Sequence, residues 1–355
     1  MNFDPERVES ELAEIQRKSS PTEARTVILN LLVVSEEDSR PRAERALGAV
    51  LGKRAARVIH IVDTDGEESD ISLSARCYLD YERKSVCFQE VLIENGSDGV
   101  GAAPGSWTPL LIRDIPVYVL WLSRFSEREP LLDHVQEQAD KLIIDSEHAI
   151  TAGDTAADVH RAVSGVMLPE GFSVSDFTWQ RTRPLRRATA HLFDQEELAD
   201  ALFDLASVET EGAPLMFSAL YQAWIAGRLG WQLEHAASAG PNPTPADSGK
   251  PTAGSEGRTG TVRRYTDRQG RRVQTGCINV GELESGFSVT MSFFSHKPIV
   301  LTVREDGCVE VAGGGGGEHV REIIRTPSDG EMLLSEIDAA GNENLYIDAF
   351  DLITP

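Results

Sequence analysis

The chain is short of cysteine, of aromatic side chains and of positive charge, and it has no long apolar run. Each shortage removes a class of protein. Only four cysteines, Cys77, Cys87, Cys277 and Cys308, occur in 355 residues, none in a CxxC arrangement, so a disulfide framework is not encoded. No stretch reaches the roughly 18 apolar residues of a membrane span, and the polar segment after Met1 lacks the apolar core of a secretion signal. Asp and Glu number 57 against 34 Lys and Arg, a formal net charge of −23 that repels phosphate backbones and anionic lipid. These readings exclude nucleic acid and membrane as partners and predict a cytoplasmic protein.

Motifs of bond-breaking chemistry are missing too. The eight histidines include no HExxH or paired spacing, so no metal site is predicted, and His60 reads as a strand residue of the core or edge. There is no GxSxG elbow. Gly99–Gly105, GVGAAPG, lacks both the GxGxxG of a strand-to-helix turn and the GK[ST] of a P-loop. It reads as a connecting loop. No catalytic residue and no cofactor follow. Asp63, Asp65, Asp114 and Asp145 fall at strand ends or turns, where α/β sheets bind ligands, although capping and turn formation are the ordinary duties of such acids.

What the chain does have is length and alternating pattern. With 355 residues and 41% apolar composition it exceeds one hydrophobic core, and two domains are expected, at 1–170 and 171–355. Asp4-Pro5-Glu6 opens a helix carrying Val8, Leu12 and Ile15. Thr26–Val34 (TVILNLLVV) is a nearly continuous aliphatic run, as in a strand covered on both faces. Arg42–Leu51 reads as a helix, Arg57–Val62 as a strand, and Ile71–Leu79 with Ser85–Ile93 as a hairpin. Strands at Tyr118–Leu122 and Lys141–Ile144, with helices at Leu131–Ala139 and Asp154–Val166, complete an α/β domain with a mixed sheet. Leu168–Gly171 marks its end.

The second half predicts an α+β domain with an antiparallel sheet. Helices are expected over 184–236, in pieces at Pro184–Phe193, Glu196–Ala206 and Pro214–Ala236. Strands are expected at Thr261–Tyr265, Arg272–Cys277, Phe287–Phe294, Ile299–Val303 and Cys308–Val311, and again at Met332–Ile337 and Asn344–Phe350. Between them 237–260 is poor in large apolar residues and reads as a mobile insert, with Gly313–Gly317 as a second flexible point.

Two features carry functional content. Pro184 marks a helix start, and Arg181, Arg183, Arg186 and Arg187 cluster there beside Trp179, although a helix N-terminus favours acids by roughly 0.3–1 kcal/mol per charge. Local stability does not explain them. Internal ion pairs are one reading; the other is an anion and protein docking patch, since Arg and Trp are enriched in interface hot spots. Cys77 and Cys87 flank the hairpin turn Tyr81–Lys84, so a three-residue loop sets them opposite one another as a thiol pair open to redox change. A second basic group, Arg263, Arg264, Arg268, Arg271 and Arg272, lies on the hairpin RRYTDRQGRR and reads as a solvated turn between charged edge strands.

Four segments in order, Leu110–Leu122 (LLIRDIPVYVLWL), Ala139–Ser146 (ADKLIIDS), Phe177–Asp194 (FTWQRTRPLRRATAHLFD) and Ala226–Trp231 (AGRLGW), resemble the glucose-6-phosphate dehydrogenase assembly protein family, often called OpcA. The resemblance covers Arg57–Trp231, with the C-terminal strands similar in outline. It implies a protein without enzymatic activity, associated with allosteric activation and assembly of glucose-6-phosphate dehydrogenase, the first enzyme of the oxidative pentose phosphate pathway. After Thr182 the chain departs from the family's proline-tryptophan-arginine-glutamate run and reads RPLRR. The expectation is a non-catalytic activator that binds the dehydrogenase through Trp179, Arg181, Arg183, Arg186 and Arg187. The alternative is a sugar-phosphate-binding protein or enzyme that uses the strand-end acids of the N-terminal domain.

Overall fold

The computed structural model describes residues 4–19, 27–79, 85–125, 130–149, 154–166, 173–234, 260–313, 321–339, 341 and 343–354. The first half runs α1 (Pro5–Ser19), β1 (Leu29–Glu36), α2 (Arg40–Val50), β2 (Ala56–Asp63), β3 (Asp70–Leu79), β4 (Ser85–Asn95), α3 (Pro104–Trp107), β5 (Val117–Leu122), α4 (Pro130–Gln136), β6 (Lys141–Ile144), α5 (Ala156–Val166) and β7 (Ser173–Asp176). Then follow α6 (Phe177–Phe193), β8 (Leu205–Glu211), α7 (Leu215–Leu229), β9 (Gln232–Leu233), β10 (Gly260–Thr266), β11 (Arg272–Ile278), β12 (Phe287–Phe293), β13 (Ile299–Val303), β14 (Cys308–Gly313) and β15 (Arg321–Ile323). Two helices close the chain, α8 (Asp329–Asp338) and α9 (Asn344–Phe350). Most of the 237–260 insert, the Leu168–Gly171 boundary, Gly314–Gly317 and the turn at 81–84 lie outside the described residues.

The chain divides into two units, and its path between them is not simple. Met1–Ala152, Arg161–Phe177 and Pro327–Asn342 form the first; Gly153–His160, Thr178–Thr326 and Glu343–Pro355 form the second.

In the first unit the strands lie in the order β3-β4-β2-β1-β5-β6-β7, all parallel except β3, which pairs antiparallel with β4. The aliphatic runs explain the centre of this sheet: Leu31, Val33, Val58, Ile59, Ile61 and Val119 are fully buried because helices cover parallel strands on both faces. Chain order reverses at β1, between β2 on one side and β5 on the other, which is a doubly wound topology. The last covering piece comes from far along the sequence. Met332 and Leu333 of α8 pack with Ala43, Leu47 and Val50 of α2, and Lys141 donates from a buried position to the Glu336 carbonyl at 2.9 Å and to its carboxylate. The expected strands at Met332–Ile337 and Asn344–Phe350 are therefore helices. Ser328 caps α8, with Glu331 reaching back to the Ser328 amide, and this Ser-x-x-Glu spacing is the helix-start signal that the strand expectation passed over.

The second unit has an eight-stranded sheet, β15-β14-β13-β12-β8-β11-β10-β9. It is mixed, not antiparallel, because β11 runs parallel to β8. Glu196–Ala206 is not a helix: it ends in a short 3-10 turn at Asp200–Asp204, after which Leu205 opens β8. One sheet face packs on α7 through Phe217, Tyr221, Ile225, Val208, Val289 and Leu301. Gly230 ends α7 with φ +66°, a left-handed position that a side chain resists. Arg263 in β10 is buried and donates to the Ile353 carbonyl at 3.0 Å, and Arg271 pairs with Asp267 and Asp204, so only part of the second basic group is solvated.

His60 lies in β2 with no solvent exposure, Nε2 2.9 Å from the Ser35 hydroxyl. Burial pushes its pKa down to about 4. The unfolded chain keeps the ordinary value near 6.5, so as pH falls from about 6.5 to about 4 the unfolded state takes up a proton that the fold refuses. Stability should fall over that window by on the order of 3 kcal/mol from this group. Urea unfolding at several pH values should show a shallower acid loss in His60→Gln; an unchanged slope would remove His60 as the cause.

A tryptophan-stacked arginine helix as candidate functional site

The helix that carries the arginine cluster starts earlier than its proline indicates. α6 begins at Phe177, and Pro184 sits inside it, although an interior proline costs about 3 kcal/mol by removing one hydrogen bond and crowding the preceding turn. Burial along one side outweighs this: Thr178, Trp179, Thr182, Leu185, Thr189 and Leu192 recur at three- and four-residue steps and are all buried. Thr189 fixes the helix to α7 through a 2.7 Å hydrogen bond with the Tyr221 hydroxyl, whose pKa burial drives up.

The expected site residues consequently divide by helical face. Trp179 is 2% exposed and is not a surface anchor. Arg186, 8% exposed, lies on the same side, its guanidinium carbon 3.5 Å from the centre of the Trp179 ring and 5.9 Å from that of Trp224. Its Nε donates to Thr182 Oγ1 at 3.0 Å. No carboxylate among the described residues lies within ion-pair distance of it. Burial pushes its pKa down to about 10, with Glu343 pulling it up and Arg183 pushing it down, so the cation persists at neutral pH. Arg181 is half-buried. Arg183 and Arg187 are exposed, one turn apart on the opposite side. The cluster sits along the first two thirds of the helix, so the clash with the helix N-terminus inferred from Pro184 does not arise.

Cys77 and Cys87 face each other across the β3–β4 pair, Cα atoms 4.1 Å apart, and are disulfide-bonded. Cys277 is a buried free thiol and Cys308 a half-buried one. The strand-end acids are engaged or dispersed: Asp145 pairs with Arg42, Asp63 accepts from Asn95 at 2.7 Å, and Asp65 and Asp114 are exposed. Among the described residues no group of three or more His, Cys, Asp or Glu side chains could hold a metal ion, and no helix is long and apolar enough to cross a membrane.

Residues 48–171 match the family domain described as glucose-6-phosphate dehydrogenase subunit N-terminal domain, and residues 172–350 match its C-terminal domain. The chain belongs to the OpcA family of glucose-6-phosphate dehydrogenase assembly proteins. Two relatives named OxPP cycle protein OpcA agree. The one from Synechocystis sp. is 24% identical over 213 residues, covering 57% of this chain and 44% of that protein. The one from Synechococcus elongatus is 25% identical over 330 residues, 86% and 70% of the two chains. The chain thus spans less than half the length of the first relative. Among solved structures, a 3-ketoreductase from Actinomadura kijaniata, in complex with NADP, is similar with a TM-score of 0.51 and 10% identity over 93% of this chain and 95% of that one. Levoglucosan dehydrogenase with NADH and L-sorbose gives 0.45 and 11%, over 92% and 96%. The ketoreductase likeness is one of fold.

The two faces of α6 should respond differently to substitution. Trp179→Ala removes a buried ring and the surface on which Arg186 rests, and should cost about 3–5 kcal/mol in urea unfolding, whereas Arg183→Glu should stay within about 0.5 kcal/mol. A small loss at Trp179 would show that this packing is wrong.

Proposed function

We propose that the chain is a non-catalytic cytoplasmic partner of glucose-6-phosphate dehydrogenase that binds this enzyme and favours its active conformation. The observation that carries the reading is the match of both parts of the chain to domains described as a subunit of that dehydrogenase. The oxidative-pathway wording in the names of the two cyanobacterial relatives is consistent with it.

The proposed docking element is α6. Arg183 and Arg187 are like charges four residues apart, an arrangement that costs a helix about 0.2–0.5 kcal/mol. In a chain of net charge −23, two such exposed cations beside a third with no carboxylate partner among the described residues favour an acidic surface on the enzyme. Trp179 holds the Arg186 guanidinium in one orientation from beneath, so little side-chain entropy remains to be lost when a partner carboxylate meets it. Trp179 contributes as a support and Arg181 lies at the edge. The Cys77–Cys87 pair, at the edge of the first sheet, is proposed as a redox-sensitive element of the first unit.

Binding alone does not activate an enzyme. The partner must be held more tightly in its active state, and a tenfold population shift requires about 1.4 kcal/mol of differential affinity, within reach of one or two such contacts. Steady-state rates of the purified dehydrogenase, measured against substrate concentration with the wild-type chain and with Arg183→Glu/Arg187→Glu, test the patch. Activation should fall at least tenfold in the folded variant, and full activation would remove α6 from the interface. The same assay with and without a thiol reductant tests the cysteine pair; identical activation and melting temperature would leave it no regulatory role.

A further inference from the structure

The first unit has the strand order and reversal point of a fold that ordinarily holds a dinucleotide at the carboxyl ends of its strands, outside the place where chain order reverses. That site needs three things: a glycine-rich turn after the first parallel strand, so that backbone can approach the pyrophosphate; free amides at the N-terminus of the next helix; and local charge that does not oppose phosphate. We infer that the chain has closed this crevice with its own carboxylates and takes no nicotinamide coenzyme.

The turn between β1 and α2 is Glu37-Asp38-Ser39, and no glycine occurs from Leu29 through Leu47. Side chains therefore stand where backbone would have to approach a ligand. The amide of Glu36 is taken by the Ser39 hydroxyl at 3.0 Å, and Pro41, in the first turn of α2, has no amide hydrogen to offer. Glu36, Glu37 and Asp38 put three carboxylates in succession in the turn that would have to face a pyrophosphate, adding negative charge that opposes it.

The crevice is also tied shut at the reversal point. Glu36 ends β1, and its carboxylate accepts the Arg124 backbone N–H, just beyond β5, at 3.0 Å, while the Arg124 guanidinium lies 3.5 Å from the other carboxylate oxygen. One side chain thus joins the two strand ends between which a coenzyme would lie. Cations nearby that could answer a phosphate are committed. Arg40 bonds Glu44 at 2.9 Å and Glu94 at 2.6 Å, and Arg42 is paired with Asp145 and Asp329. Asp63, at the end of β2, stands where an acid receives a ribose hydroxyl in this fold, and one of its oxygens is already engaged by the Asn95 side-chain amide at 2.7 Å.

Calorimetric titration of the intact chain with NAD+, NADP+ and NADPH, each to about 1 mM, should give no saturable heat, and the melting temperature should not move in their presence. Saturable binding of any of the three at about one per chain would overturn the inference. The latch has its own readout. Glu36→Ala should lower the melting temperature by about 2–4 °C, while Glu37→Ala, one residue further on, should leave it unchanged. Equal melting of the two variants would show that Glu36 does not hold the crevice closed.

Discussion

A doubly wound sheet has one place where its strand ends diverge, and what occupies it decides what the domain can do. Here the occupant is the chain itself. Glu36 joins the end of β1 to the residue after β5, and the arginines of α2 are spent on Glu44, Glu94, Asp145 and Asp329. On the inference drawn above, the strand ends that hold a coenzyme in other doubly wound folds serve internal cohesion here. Residues 327–342 strengthen it by bringing Leu333 and the partner of the buried Lys141 from the far end of the sequence.

In the second unit one cation is held in position with no carboxylate among the described residues at ion-pair distance. Arg186 is stacked on a tryptophan, hydrogen-bonded through Nε and largely withdrawn from water, an arrangement consistent with the docking role proposed for α6. Withdrawing a guanidinium without a carboxylate costs stability, and such a cost persists when something recovers it. A docking partner can do so. A structural pair within the fold would have left the charge satisfied already.

The sequence revealed these two units unequally. TVILNLLVV is legible as a strand covered on both faces because a continuous β-branched and aliphatic run fits no exposed element, and the short turn expected between the two hairpin strands points to Cys77 opposite Cys87, the register that β3 and β4 have. Met332–Ile337 is short enough for its periodicity to fit a helix or a strand, but Ser328-x-x-Glu331 ahead of it is a capping-box signature that favours the helix, and the contacts of α8 with α2 agree. At the site the right residues were visible but their roles were not. Pro184 signals a helix start by local rule, yet the buried stripe beginning at Thr178 extends the helix backward through it. At about 100° per residue, the stripe through Thr178, Thr182, Leu185, Thr189 and Leu192 leaves Arg183 and Arg187 on the far side of the helix and Arg186 nearer the buried side. The absence of glycine after β1 is readable in the sequence, but its bearing on a coenzyme crevice needs the strand order.

Preferential attachment to one state of the dehydrogenase, as proposed for this chain, has a direct test in thermodynamic reciprocity. The affinity of this chain for purified glucose-6-phosphate dehydrogenase should be measured with the enzyme empty and with its sugar-phosphate substrate bound. If the chain favours the active state, it should bind the substrate-loaded enzyme at least several-fold more tightly. Equal affinity for the two forms would contradict the central claim.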